Sequence, residues 1–88
     1  MYQRHELKTW PEFYEVIASG EKTFELRYDD RGFHAGDILR LREWSLEIEQ
    51  YTGREMSVTV TYLWTGFGLK SGWVVMGFQP NKPLNPTR

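Results

Sequence analysis

The chain has 88 residues, a formal net charge of −1 and no cysteine. That length makes one domain with a core of limited depth, and the near-neutral charge argues against a protein that coats nucleic acid electrostatically. The missing thiols exclude disulfides, thiolate nucleophiles and thiolate metal sites, and leave a cytosolic setting as the default.

Hydrophobic residues make up 40% of the chain and aromatic residues 16%, as expected of a packed domain rather than a disordered one. No stretch of about 18 apolar residues and no basic-then-apolar leader suggests a membrane span or a secretory signal. The charge is uneven: no acid follows Glu55, which leaves room for a local basic cleft.

Residues 2–8 read as a first strand, with Leu7 facing in, Lys8 facing out and His5 sharing the parity of Leu7. A lone histidine at such a position is ordinarily a hydrogen-bonded core or rim residue. Thr9, Trp10, Pro11 and Glu12 carry the signals of a helix start, with Thr9 as the hydroxyl cap and Pro11 in the first turn. Trp10, Phe13, Val16 and Ile17 recur at helical spacing, predicting a helix from about residue 10 to Ser19 with that stripe on the core.

Gly20 can take the left-handed conformation that ends a helix. The stretch it opens, Gly20 to Arg27, is the focus of the chain. A strand over 23–28 gathers Phe24, Leu26 and Tyr28 on one face and Thr23, Glu25 and Arg27 on the polar one, with Lys22 at the mouth of the turn. Lys22, Glu25 and Arg27 are then either an ion pair on a solvated strand face or the charged centre of a site.

Asp29-Asp30-Arg31-Gly32 and Ala35-Gly36-Asp37 are turns. Adjacent acids beside an arginine ordinarily serve the turn itself, so no metal or other cofactor is expected, and Asp37 reads as structural. Strand 38–44 places Leu39 and Leu41 on one face and Arg40, Arg42 and Trp44 on the other. Two arginines and an indole can stack a base and contact phosphate, or simply cover a surface strand.

An acidic hairpin-like excursion over 45–53 follows. Strand 55–65 then alternates Met56, Val58, Val60, Tyr62 and Trp64 against Ser57, Thr59, Thr61, Leu63 and Thr65. The glycine-rich loop 66–72 lacks a phosphate-binding signature, which leaves Lys70 and Ser71 as secondary candidates. Residues 73–79 form the closing strand. The domain is expected to span 1–79, with a disordered proline-rich tail over 80–88. Five to six mostly antiparallel strands with one main N-terminal helix define a small α+β barrel, with a monomer as the default state.

Gly20, Lys22, Glu25 and Arg27 read G-x-K-x-x-E-x-R, which resembles the defining motif of the ASCH superfamily. More narrowly, the following landmarks taken in order resemble a small bacterial and phage family of ASCH-like domains: His5-Glu6-Leu7-Lys8, the motif itself, Asp29-Asp30-Arg31, Gly36-Asp37, Arg42-Glu43-Trp44, Tyr51-Thr52-Gly53-Arg54 and Gly72-Trp73-Val74-Val75.

The resemblance implies a PUA-like β-barrel and an RNA- or nucleotide-binding module. On this reading Lys22 and Arg27 contact phosphate, Glu25 orients them or accepts from a base, Arg42 and Trp44 form a stacking wall, and Lys8 lies nearby. The alternative is a small amidohydrolase or ribonuclease with Lys22 and Glu25 as its catalytic candidates. Some ASCH relatives that act on acylated cytidine use a lysine, a threonine three residues later and a downstream glutamate. Here Lys22 matches, but Glu25 occupies the threonine position and no acid follows Glu55.

Overall fold

The computed structural model describes residues 2–81. Six elements follow in order: β1 (Arg4–Thr9), α1 (Pro11–Ala18), β2 (Phe24–Tyr28), β3 (Ile38–Ser45), β4 (Gln50–Thr65) and β5 (Trp73–Pro80). The strands make one sheet in the order β1-β3-β4-β5-β2, parallel between β1 and β3 and antiparallel elsewhere. It curls into a half-barrel, so the α+β barrel-like class expected from the sequence holds. β1 and β2 are its two edges, and α1 connects them.

The core is the concave side of this sheet closed by the helix. Leu7, Leu39, Leu41, Val58, Val60, Val74, Met76 and Phe78 point inward from four strands, and Ile17 of α1 and Phe33 of the β2–β3 connection cover them. Asp37, almost fully buried, fixes the start of the parallel pair. One carboxylate oxygen accepts the Gln3 N–H at 2.9 Å; the other accepts the His34 N–H at 2.9 Å and lies 2.8 Å from His5 Nε2. Burial alone pushes this carboxyl up, but the bonds from Gln3, His5 and His34 outweigh it and hold the group below its ordinary value.

Several local expectations change in the folded chain. Trp10, extended at φ −67 and ψ 152, occupies the helix cap in place of Thr9 and makes no side-chain cap bond. Pro11 follows it, and a residue before proline is pushed out of the helical region. Thr9 instead ends β1 with its side chain buried. The predicted helical stripe splits: Ile17 enters the core together with Tyr14, whereas Trp10 and Phe13 stay exposed. Gly20, at φ +89, closes the helix as anticipated, and the Lys22 N–H donates back to Val16 O.

The acidic excursion is shorter than predicted. β4 begins at Gln50, and Tyr51 already pairs with Trp44, because the irregularity opposite Arg42–Trp44 absorbs Gly53 at φ +99 inside the strand. A second register shift between Val60 and Tyr62 leaves Thr61 without a partner, so Tyr62 and Trp64 turn outward and Leu63 turns in. Pro80 and Asn81, assigned to the tail, continue the sheet edge: Pro80 pairs with Val58, and the Asn81 N–H donates to Ser57 O. The rest of that tail, 82–88, lies outside the described residues.

Candidate binding cleft

The two sheet edges face each other across an open seam. In the parallel ladder β1 turns the backbone of its odd residues toward β3, as the Ile38 N–H to Gln3 O bond shows. The carbonyls of Glu6 and Lys8 therefore point away from the sheet. Two guanidiniums from the β2 side reach them: Arg27 Nη2 donates to Lys8 O at 2.6 Å, and Arg31 Nη1 donates to Glu6 O at 2.9 Å. Side chains thus take the place of a missing strand pairing and tie the half-barrel shut.

Arg27 can do this because β2 turns its charged face inward. Glu25 pairs with Met76 and Arg27 with Val74, both core residues, so Glu25 and Arg27 lie on the concave side. Phe24, Leu26 and Tyr28, the residues that alternation would send to a core, are exposed on the outside. Glu25 is only 6% exposed and is held between two cations, with Lys22 Nζ 3.3 Å from Oε1 and Arg27 Nε 3.2 Å from Oε2. A buried carboxylate needs such partners.

The turn beyond β2 presents Arg31. Asp29 Oδ1 accepts the N–H groups of Arg31, Gly32 and Phe33. The burial of Asp29 acts to raise its pKa, and those three N–H donors overcome it, so the carboxyl sits below its ordinary value. The acid pair therefore serves the turn, and Arg31 Nε bonds Asp30 at 3.2 Å.

Around this seam lies a cleft of about 990 Å³ bounded by β1, α1 and β2. Three cationic side chains, Lys22, Arg27 and Arg31, line it against two acidic ones, Glu25 and Asp30, and Lys8 borders it with its backbone. Trp10 and Phe13, stacked at 6.2 Å and 19°, form one wall. The Lys22 ammonium sits 4.4 Å from the Phe13 ring centroid and 5.4 Å from that of Phe24. Thr9 lines the cleft as well, and its hydroxyl is the one buried side-chain polar atom among the described residues without a hydrogen-bond partner.

The motif residues Lys22, Glu25 and Arg27 are thus brought together, and Lys8 joins them through its backbone. Arg42 and Trp44 are not part of this cleft. They belong to the outer face of β3, where the Lys8 ammonium lies 3.9 Å over the Trp44 ring, Arg42 lies 3.9 Å over Tyr51, and Trp44 meets Tyr51 edge-on at 5.0 Å. Lys70 and Ser71 stay in the β4–β5 turn, where Lys70 O accepts the Trp73 N–H.

Sequence reasoning missed Arg31, Trp10, Phe13 and Phe24 as cleft residues, since surface exposure of the aromatics runs against their hydropathy. It also missed Glu43, a buried carboxylate on the inward parity of Leu39 and Leu41. Glu43 accepts from Thr52 Oγ1 at 2.7 Å and lies 3.7 Å from Arg54, whose guanidinium also covers the buried Tyr14 ring. Burial pushes the Tyr14 phenol up, with the Arg54 charge opposing.

Fold and cleft together define a small α+β half-barrel whose open seam is closed by arginines and walled by aromatic rings. The family described as a domain of unknown function (DUF3850) matches residues 4–78, and the chain belongs to that family. A relative from Escherichia phage P2, an uncharacterised 12.9 kDa protein in the GpA 3′ region, is 33% identical over 61 residues, covering 69% of this chain and 54% of that protein. The chain therefore spans about half the length of this curated relative. Among the described residues no helix is long and apolar enough to cross a membrane.

Proposed function

We propose that the chain is a cytosolic ASCH-like, PUA-like domain whose seam cleft binds single-stranded RNA or a nucleotide. The observation that carries the reading is the juxtaposition of Lys22, Arg27 and Arg31 with the rings of Trp10, Phe13 and Phe24 in one cleft. Cations beside exposed ring faces suit a ligand with a phosphate and an unstacked base, and only single-stranded or flipped-out bases offer a face to an aromatic. Lys22 is the phosphate contact, since its ammonium has one carboxylate partner and lies at the mouth of the turn. Arg27, bonded to both Glu25 and Lys8 O, positions the site. The stacking wall is Trp10 and Phe13 rather than Arg42 and Trp44.

The test is an NMR titration of labelled protein with nucleosides, nucleotides and short single-stranded RNAs, at low salt and at about physiological ionic strength. Shifts clustering on Thr9 to Phe13 and Lys22 to Arg31, with affinity lowered about tenfold or more by Lys22→Ala and by Phe13→Ala, are expected. Unchanged affinity in both variants, or no shifts there with any ligand, removes the assignment. Products from N4-acetylcytidine or RNA that vanish in Glu25→Gln would instead move the protein to the hydrolase class.

A further inference from the structure

A second surface follows from the two strands whose faces run against alternation. The outward turn of Phe24, Leu26 and Tyr28 on β2 and the register shift that sends Tyr62 and Trp64 outward on β4 place five large apolar side chains on one face of the sheet. Trp73 at the end of β5 and Phe67 in the adjoining loop extend it, the latter 91% exposed and held by a bond from Trp64 Nε1 to Phe67 O at 2.9 Å. Together they are seven of the twelve exposed large hydrophobics among the described residues, so the patch is concentrated rather than scattered.

Its shape is set by β5. Val75 pairs with Trp64 and Leu26, and Gly77 with Tyr62 and Phe24, so a low central strand runs between two tall ridges of side chains. Trp73, edge-on to Tyr28 at 6.1 Å, closes one end. A ridge beside a groove of the same length is self-complementary, as an isologous two-fold contact requires. No charged residue stands on this face of β5, β2 or the second half of β4, Glu55 lying beyond it in the first half, so two copies meet there without repulsion between the strands' own side chains. At roughly 200 Å² per aromatic side chain, the exposed fractions add up to on the order of 800 Å², the area each partner contributes to a standard stable interface.

We infer that the outer face of β5, β2 and the second half of β4 is a docking surface for a second copy of this chain, packed face to face. Phe24, Leu26, Tyr28 and Trp73 also line the cleft, so a partner seated there extends the cleft wall.

Sedimentation equilibrium of the whole chain from about 1 μM to about 1 mM tests this. The wild type is expected to pass reversibly from the mass of the chain to twice that mass, with little change between about 0.1 and 0.5 M salt because no charges are involved. Tyr62→Lys and Phe67→Lys, both exposed and outside the cleft, should each weaken association about tenfold or more, whereas Arg42→Ala on the opposite half should not. In the same series the amides of Tyr62, Val75 and Gly77 should shift on dilution while those of β1 stay in place. A wild type that is monomeric throughout, or association that neither lysine variant weakens, overturns the inference. Neither variant alters a residue of the nucleotide cleft, and sedimentation is run without nucleotide, so the mass it reports does not depend on the outcome of the titration.

Discussion

The outer surface of the sheet is divided between two kinds of chemistry. On β1, β3 and the first half of β4 it is a charged ladder that satisfies itself: Arg40 bonds both Glu6 and Glu55, Arg42 lies over Tyr51 and within 3.4 Å of Glu6, and Lys8 lies over Trp44. On the second half of β4, β5 and β2 it carries exposed rings and no charge. The first half has its partners within the chain. The second lacks them, and that is why it reads as the surface open to another molecule. Exposed ion pairs contribute little to stability, while exposed apolar area is what association buries.

The two halves are joined across the seam by Arg27, so the largest effect is expected there. Arg27→Ala removes the bond to Lys8 O and leaves the buried Glu25 with a single cation, which should destabilise the fold by about 3 kcal/mol in urea unfolding. A loss well under about 1 kcal/mol would mean that the core and the Arg31 bond to Glu6 O hold the halves together without Arg27.

Next in size is the anchor of the charged half. Asp37→Asn disrupts the contacts to Gln3, His34 and His5 and should cost about 2 kcal/mol at neutral pH. The wild-type Asp37 pKa is lowered by folding, so its contribution is present above the ordinary carboxylate value of about 4 and is lost as the pH falls through the depressed one. The variant should accordingly show a shallower loss of stability on acidification, read from denaturant melts between about pH 5 and 2.

The aromatic half can be probed at Gly72, which sits at φ +89 with the Tyr28 ring 2.5 Å from where a Cβ would stand. Gly72→Ala should cost about 1.5 kcal/mol from the strained backbone and displace the Tyr28 ring, seen as a change in the Tyr28 and Trp73 ring resonances. Smallest of all is the ladder itself. Arg42→Ala should cost about 0.5 kcal/mol, measurable as a slight drop in thermal midpoint. A drop several times larger would mean that the charged half is held by its surface network rather than by Asp37 and the core.

Much of the framework was legible in the chain. Pro11 and Gly20 bracket the helix within a residue or two of its observed ends, and all five strands and the glycine-bearing turns stand close to where periodicity puts them. The motif residues Lys22, Glu25 and Arg27 do converge. What could not be read was their company: Arg42 and Trp44 share a face with Lys8, but that face is the convex one, and the rings that line the cleft come from a helix stripe and a strand face both expected to be buried.

The sequence by itself determined the alternation of every strand but β4, the length of the helix and the positions where the chain turns, because these follow from backbone sterics and side-chain spacing along a few residues. For β2 and the end of β4, only the tertiary structure decided which side of the alternation faces inward. Parity within a strand is relative, and its absolute sense is set by pairing. One unpaired residue at Thr61 reverses the end of β4, and β2 buries Glu25 because Lys22 and Arg27 neutralise it while Arg27 reaches across the seam to β1.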